Sequence, residues 1–470
     1  MIETFPQSRR QLLRTSACGG LGLSLSGLWR AQAALAEASQ TTAPAKIRSC
    51  IIVFYYGGPS HLDTYDLKPN APADVRGEFH SIETSVPGLR ISEHLPHMAK
   101  VMHKVAIVRS MTHQNRLHDS ASTEVLTGRQ SPQGDREEFA VLPQFYPCYG
   151  ATLSYLRRAH AVEIPHAALP FVFHNVVDVP CQGGGFLGSA FDPLQISVDA
   201  EQRAYRAGLL SPPEGKSLAS VGERRRLLDA IENTAESNTS AQRQWRTFYD
   251  KAFRLLGSET LRRAFDLSQE PAAIRDRYGY LPFAAVNGDM SQSASGQGRA
   301  MRGQNLLVAR RLVEAGVPFV NVFDFQQQGQ NWDAHANNFF HHKHYLLPQT
   351  DQSLSALIED LDQRGLLDST LVIAMGEFGR TPRINANAGR DHWPDCYSIL
   401  LAGGGVKGGF VYGSSDKLGA YPETNPVRPS DLAASIYDRF GLDPATEIRD
   451  LTNRPHRIAD GQPIREWFAA

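Results

Sequence analysis

Thr370–Pro394 reads TLVIAMGEFGRTPRINANAGRDHWP, and its first half decides the fold class. Leu371, Val372, Ile373, Ala374 and Met375 form an apolar run with no polar alternation, which predicts a strand buried on both faces. Such strands belong to parallel sheets covered by helices on either side. Gly376 ends the run and Glu377 follows at once. The carboxyl end of a central parallel strand lies on the rim where open α/β sheets place their ligands, so Glu377 is a candidate site residue. Gly379, Pro382 and two Asn residues make the next segment a loop. That loop delivers Asp391-His392-Trp393, a carboxylate and an imidazole side by side. Glu377, Arg380, Asp391 and His392 around one strand end concentrate titratable groups as functional sites do.

The same pattern recurs elsewhere along the chain. The first strand, Ser49 to Tyr56, stops at Gly57-Gly58-Pro59-Ser60, and His61-Leu62-Asp63 follows. On extended backbone His61 and Asp63 point the same way. Val105 to Val108 is a short strand, and a segment containing His113 and His118 comes after it. Asp119 or Ser120 can cap a helix running to Leu126, with Gly128 as its stop. His118 then lies at the positive end of that helix, a natural anion site. Val317 to Phe323 leads into Asp324, and Asp333 and His335 come beyond it in NWDAHANNF. Pro170 to Val179 and Ser398 to Ala402 read as further strands. Gly303 to Ala315, Leu354 to Leu367 and Leu432 to Phe440 read as helices. Gln182 to Gly188 is a tight turn rather than a phosphate loop, lacking the Gly-Lys-Ser/Thr ending. His341, His342 and His344 read as a helix and loop surface rather than a metal site.

A formal net charge of -1 over 470 residues gives no reason to expect nucleic acid or an anionic membrane as partner. The 16 His residues fall in short clusters beside acids, which favours metal chemistry. Ser8-Arg9-Arg10-Gln11-Leu12-Leu13 resembles the twin-arginine export motif. The apolar run from Ala17 to Leu28 is too short and Gly-diluted for a stable transmembrane anchor, and small-x-small sites follow it. The expected organisation is a twin-arginine signal peptide over 1–36, a linker over 37–48, and one domain over 49–470 with a helical insertion at about 200–300. The twin-arginine translocase would be a partner during export, leaving the mature protein periplasmic or extracellular. No Cys-x-x-Cys pair occurs among the five cysteines, so a zinc knuckle is not expected. Cys50, Cys148, Cys181 and Cys396 remain after the signal, and a disulfide between two of them is open.

Together GGPSHLDTYD from Gly57, the His113/His118 segment ending LTGR, NWDAHANNF, GEFGRTPRIN and GRDHWP resemble one family over nearly all of the mature chain. It is the domain-of-unknown-function 1501 family, exported proteins of the alkaline phosphatase/sulfatase-like superfamily. The resemblance implies an α/β fold, a three-layer α/β/α sandwich with a mostly parallel mixed sheet, and a two-metal site at the strand ends. It implies Glu377 as a metal carboxylate, Asp333 and His335 as the Asp/His pair of the other metal, and His392 as its final His. Asp63 or His61 would replace the acid that ends the first strand, while Phe378 stands where a metal His usually follows. Asp391 would orient His392 or bind directly. One or two divalent ions are implied, zinc ahead of manganese, iron and calcium; mixed Asp/Glu/His ligands suit several of these.

Sulfatases carry Cys-x-Pro-Ser-Arg before Leu-x-Gly-Arg, and counting back from Leu126-Thr127-Gly128-Arg129 puts His118 where that Cys would be. A formylglycine mechanism therefore has no residue here. His118 can attack or bind metal, Ser120 can be the nucleophile, or metal-activated water can attack directly. Arg380 is placed to contact a tetrahedral anion bidentately. The leading expectation is an exported metal-dependent hydrolase of phosphoric or sulfuric esters, acting on a small molecule or polysaccharide. The alternative is a non-catalytic ligand-binding or cell-envelope protein on the same scaffold. A sugar-phosphate mutase of the superfamily ranks third, because export removes its usual substrates.

Overall fold

A computed structural model describes residues 45–137, 142, 144–158, 162–175, 177–199, 204–206, 218–233, 258–279, 301–325 and 332–469. The signal peptide expected over 1–36 lies outside these residues, as do most of the linker and much of the insertion. The end of the linker is already docked: Ile47 is buried and its N–H donates to Arg439 O at 3.2 Å.

Eight strands form the central sheet: β1 Ser49–Phe54, β2 Val105–Met111, β3 Ala167–Leu169, β4 Leu194–Gln195, β5 Phe319–Phe323, β6 Thr370–Met375, β7 Tyr397–Ala402 and β8 Val411–Tyr412. Their order is β8-β2-β7-β6-β1-β5-β3-β4. β6 lies parallel to β1, with Cys50 opposite Leu371 and Phe54 opposite Met375. Only β7 runs against its neighbours, β6 and β2. The organising strand is therefore central and its six residues are all buried. Alternation splits them between two cores. Leu371, Ile373 and Met375 join Cys50, Ile52 and Phe54 on one face, and Val372 and Ala374 join Ile51 and Val53 on the other.

Helices cover both faces, since parallel strands need crossover connections. They are α1 Pro96–Val101, α2 His118–Thr127, α3 Tyr149–Leu156, α4 Arg302–Glu314, α5 Leu347–Gln363 and α6 Pro429–Arg439. α1, α4 and α5 pack on the Val372 face through Met98, Leu307 and Leu357. α2, α3 and α6 pack on the Leu371 face through Val125, Leu153 and Ile436. This is a three-layer α/β/α sandwich with a mostly parallel mixed sheet. Within the expected insertion, Leu218–Asn233, Glu259–Phe265 and Ala272–Tyr278 are helical. The last two are tied to the α4/α5 layer by buried Arg310, 2.7 Å from Glu270 and 2.9 Å from Asp360, and by Tyr278 Oη donating to Asp360 at 2.9 Å.

Two expectations need correcting. The strand near Pro170 precedes that residue, at Ala167–Leu169, because Pro170 cannot donate to the ladder. Residues beyond it form only an isolated bridge, His174 to Asp178. α2 begins at His118 with Leu117 as N-cap, so neither Asp119 nor Ser120 caps it; Gly128 does end it, left-handed at φ 71°. Cys50, Cys148, Cys181 and Cys396 are all buried free thiols. Among the described residues no helix is long and apolar enough to cross a membrane.

Candidate metal and catalytic site

The carboxyl ends of β1 and β6, the start of α2, the segment after β5 and a short ribbon converge on one rim. The ribbon pairs Gly379 with Trp393 and Arg380 with His392. Glu377 is fully buried. Its Oε1 accepts from the Gly57 N–H at 2.8 Å and from His118 Nδ1 at 2.6 Å. Gly58, at φ 71°, has to be glycine, since a Cβ there would sit 2.5 Å from the Phe378 ring.

Three imidazoles face Asp333. His118 Nε2 is 3.3 Å from Oδ2, while His335 Nε2 and His392 Nε2 lie 3.0 and 3.1 Å from Oδ1. Each ring is held from behind through Nδ1: His118 by Glu377, His335 by Asp391 Oδ1 at 2.7 Å, and His392 by the Arg116 carbonyl at 2.6 Å. An Nδ1–H held by an acceptor leaves the Nε2 lone pair of a neutral imidazole facing forward, as in carboxylate–histidine–metal arrangements. Ligand atoms of His118, Asp333 and His392 all lie within 4.8 Å of one another. The Nε2 atoms of His335 and His392 are 3.0 Å apart, a contact that needs a shared proton or a cation. Two buried atoms, His118 Nε2 and Glu377 Oε2, have no hydrogen-bond partner; the His118 approach to Asp333 is an ion-pair contact with poor alignment. A mixed nitrogen and carboxylate set with orphaned atoms fits a divalent cation of the zinc, manganese or iron type.

The electrostatics are those of a coupled cluster. Burial alone would lower the His118 pKa, but contact with Asp333 and the hydrogen bond and charge of Glu377 outweigh it and raise it to about 9. Burial would raise the Asp333 carboxyl, yet His118, His335, His392 and Arg380 hold it far below the usual carboxylate range. His335 is raised, chiefly by Asp333. His392 is lowered, chiefly by burial, with the His118 and Arg380 charges adding. Asp333 is the common counter-charge.

Other candidates are placed elsewhere. His61 and Asp63 lie in a 3-10 turn rather than on extended backbone, so they do not point together. His61 is buried with Nε2 on the Gly419 carbonyl at 2.8 Å. Asp63 receives both arms of buried Arg390, at 2.8 and 3.0 Å, and the Asn338 amide at 2.9 Å. That carboxylate is spent on structure. Ser120 follows His118 by two positions, about 200° around the helix, so the two cannot face one partner. Its hydroxyl donates to Asp135 Oδ1 at 2.5 Å. Asp135 also accepts from the Arg116 and Leu117 N–H groups at 3.0 and 3.1 Å, so the chain's own carboxylate fills the expected anion site. Arg380 is fully buried, donating to the Gly57, Gly58 and Arg390 carbonyls and to Asp333 at 2.6 Å. Its fork serves the protein, not a substrate anion. Asp391 backs His335 rather than His392.

Sequence reasoning passed over Arg390 and Asp135. Arg390 stands inside GRDHWP, where its neighbours Asp391 and His392 drew the reading; nothing in spacing marks Asp135 as a cap. Phe378, noted as standing in place of a metal His, packs its ring 5.0 Å from His118 and 4.5 Å from His392.

The family described as "Protein of unknown function (DUF1501)" matches residues 47–468. No curated protein matches the chain. Among solved structures, a mutant of the alkaline phosphatase PafA is similar at 9% identity, covering 91% of this chain and 100% of its own, with a TM-score of 0.43. Ps i-CgsB in complex with k-i-k-neocarrahexaose is similar at 11% identity, with 90% and 75% covered and a TM-score of 0.42. The PsFucS1 sulfatase from Pseudoalteromonas sp. is similar at 13% identity, with 86% and 69% covered and a TM-score of 0.36.

Proposed function

The chain belongs to the DUF1501 family, and we propose that it is an exported metal-dependent hydrolase of phosphoric or sulfuric esters. One observation carries this reading: three imidazoles, each held through Nδ1, turn Nε2 toward a single half-buried carboxylate. His118, His392 and Asp333 would hold the ion, with His335 beside them and Glu377 Oε2 in reserve. A divalent cation there supplies Lewis-acid polarisation of an ester oxygen and charge stabilisation as the bond breaks. Glu377 fixes the His118 ring plane, so Nε2 is the atom that binds or moves a proton. Arg380 neutralises Asp333 and keeps it ionised inside the rim. His335, with its side chain 45% exposed, stands at the mouth where an ester enters.

Purified mature protein is expected to retain about one equivalent of zinc, manganese or iron by elemental analysis, and Asp333→Ala to lose it. The metal-loaded protein should cleave at least one of p-nitrophenyl phosphate, bis-p-nitrophenyl phosphate and p-nitrophenyl sulfate, and a chelator should abolish that turnover. A metal-free wild type would sink the reading. Metal without turnover would favour a binding protein on the same scaffold, a reading supported by the Phe378 ring against His118 and His392.

The proposed organisation keeps residues 1–36 as a twin-arginine leader and 49–470 as one domain, with the translocase as transient partner. Arg9→Lys with Arg10→Lys should leave the precursor in the cytoplasm, read by fractionation and immunoblot. Undiminished export of that double variant would remove the leader assignment and the periplasmic or extracellular location with it.

A further inference from the structure

Glu377 orients His118, but something must orient Glu377, whose backbone has just left β6 and sits beside Gly376. The Glu377 carbonyl accepts from His113 Nε2 at 2.6 Å, across 264 positions of sequence. His113 Nδ1 accepts the Asn115 N–H at 3.2 Å, which assigns the ring proton to Nε2 and makes this imidazole a donor to the carbonyl. The side chain of His113 is 1% exposed and meets the Tyr397 ring edge-on, with centroids 5.5 Å apart. Asn115 Nδ2 in turn donates to Glu124 Oε2 at 2.6 Å, tying the turn before α2 to the body of that helix. Both ring nitrogens of His113 are engaged inside the protein, so it has neither solvent nor ligand to serve.

We propose that His113, braced by Asn115 and Glu124, is the positioning residue that sets Glu377 and, through it, the His118 imidazole. The proposal rests on the metal reading of the rim for its functional meaning and on the hydrogen-bond chain for its geometry. His113 holds the main chain at residue 377, so Oε1 can reach both the Gly57 N–H and His118 Nδ1. Losing the donor lets the carbonyl turn and both contacts lengthen. Partners one layer behind a metal ligand typically change affinity by about 10–100-fold when removed, and His113 acts one layer further back, through the Glu377 main chain.

The test uses the full mature protein. In His113→Phe, which keeps a ring against Tyr397 but no donor, zinc affinity by titration calorimetry should weaken by about tenfold, the lower end of that range. Hydrogen exchange at Gly57 should quicken while β1 and β6 keep their protection. His113→Gln retains an amide donor and should recover zinc affinity to within about threefold of wild type. Unchanged zinc affinity and unchanged Gly57 exchange in His113→Phe would overturn the proposal. So would His113→Gln as damaged as His113→Phe, which would assign the role to ring packing. Should His113→Phe fail to fold, Asn115→Ala decides: weaker zinc binding with faster Gly57 exchange supports the proposal, and no change overturns it. If the wild type binds none of zinc, manganese or iron, the metal reading fails, and Gly57 exchange still decides whether His113 positions Glu377.

Discussion

Replacing His118 by Ala is expected to lower ester hydrolysis by about a thousandfold or more, the scale of losing a proton-transfer group or more. The reason is position. His118 opens α2, is fully buried, and joins Glu377 to Asp333 across the rim. Alanine removes the forward-facing Nε2, leaves Glu377 Oε1 without its imidazole donor, and takes one of three imidazoles from Asp333. The chain should still fold, because α2 keeps its Asp135 cap and its Val125 and Leu126 packing. His118→Gln refines the result. Its amide can donate to Glu377 Oε1, so it restores the internal hydrogen bond while supplying no strong ligand or nucleophile. Both variants should be inactive, with zinc binding weakened and the circular dichroism spectrum unchanged. Ser120→Ala should stay within about tenfold of wild-type turnover, since its hydroxyl serves Asp135 as a cap partner. Activity of His118→Ala within tenfold of wild type would make His118 structural.

What could be foreseen, and what could not, divides along physical lines. β6 was legible because burial on both faces leaves a run without polar alternation, and Glu377 followed from the strand's end. His118, Asp333, His335 and His392 were legible as candidates because each stands just beyond a strand or at a helix start. That they share one carboxylate was not, since spacing does not encode which rings meet across a rim. The arginines show the same limit. Arg380 and Arg390 flank one loop with similar local chemistry, and both are fully buried. Their roles depend on partners such as Asp63, 327 positions away. His61 and Asp63 were misjudged because a two-residue spacing says opposite things on a strand and in a 3-10 turn. Pro170 was the missed local signal: its absent N–H placed the strand before it.

The largest stability effect is expected at Arg390, the buried partner of Asp63. Both side chains are fully buried, and the guanidinium also donates to the Thr381, Pro382 and Val75 carbonyls. It therefore joins the turn after β1 to the loop carrying Asp391 and His392. Arg390→Met should lower unfolding free energy by about 3–5 kcal/mol, because Asp63 is left as a buried charge with only neutral hydrogen-bond partners. Asp63→Asn should cost less, since the guanidinium keeps its three carbonyls. The double variant should be more stable than the sum of the singles predicts, because an amide needs no counter-charge. The sign with pH follows from the same pair. Burial raises the Asp63 carboxyl, but Arg390 outweighs it and holds the pKa below its ordinary value. In the wild type this stability is present above the unfolded carboxylate pKa and is lost as pH falls through the lowered folded value. In Arg390→Met burial, the largest influence on this carboxyl, is opposed chiefly by neutral partners such as Asn338 and Ser60, so the carboxyl should be raised, protonation relieves it, and the deficit should shrink as pH falls from 7 toward the raised pKa. Urea unfolding at pH 7 and pH 5 measures both. A deficit that grows toward pH 5, or strictly additive singles, would show that Asp63 does not depend on Arg390 for its charge.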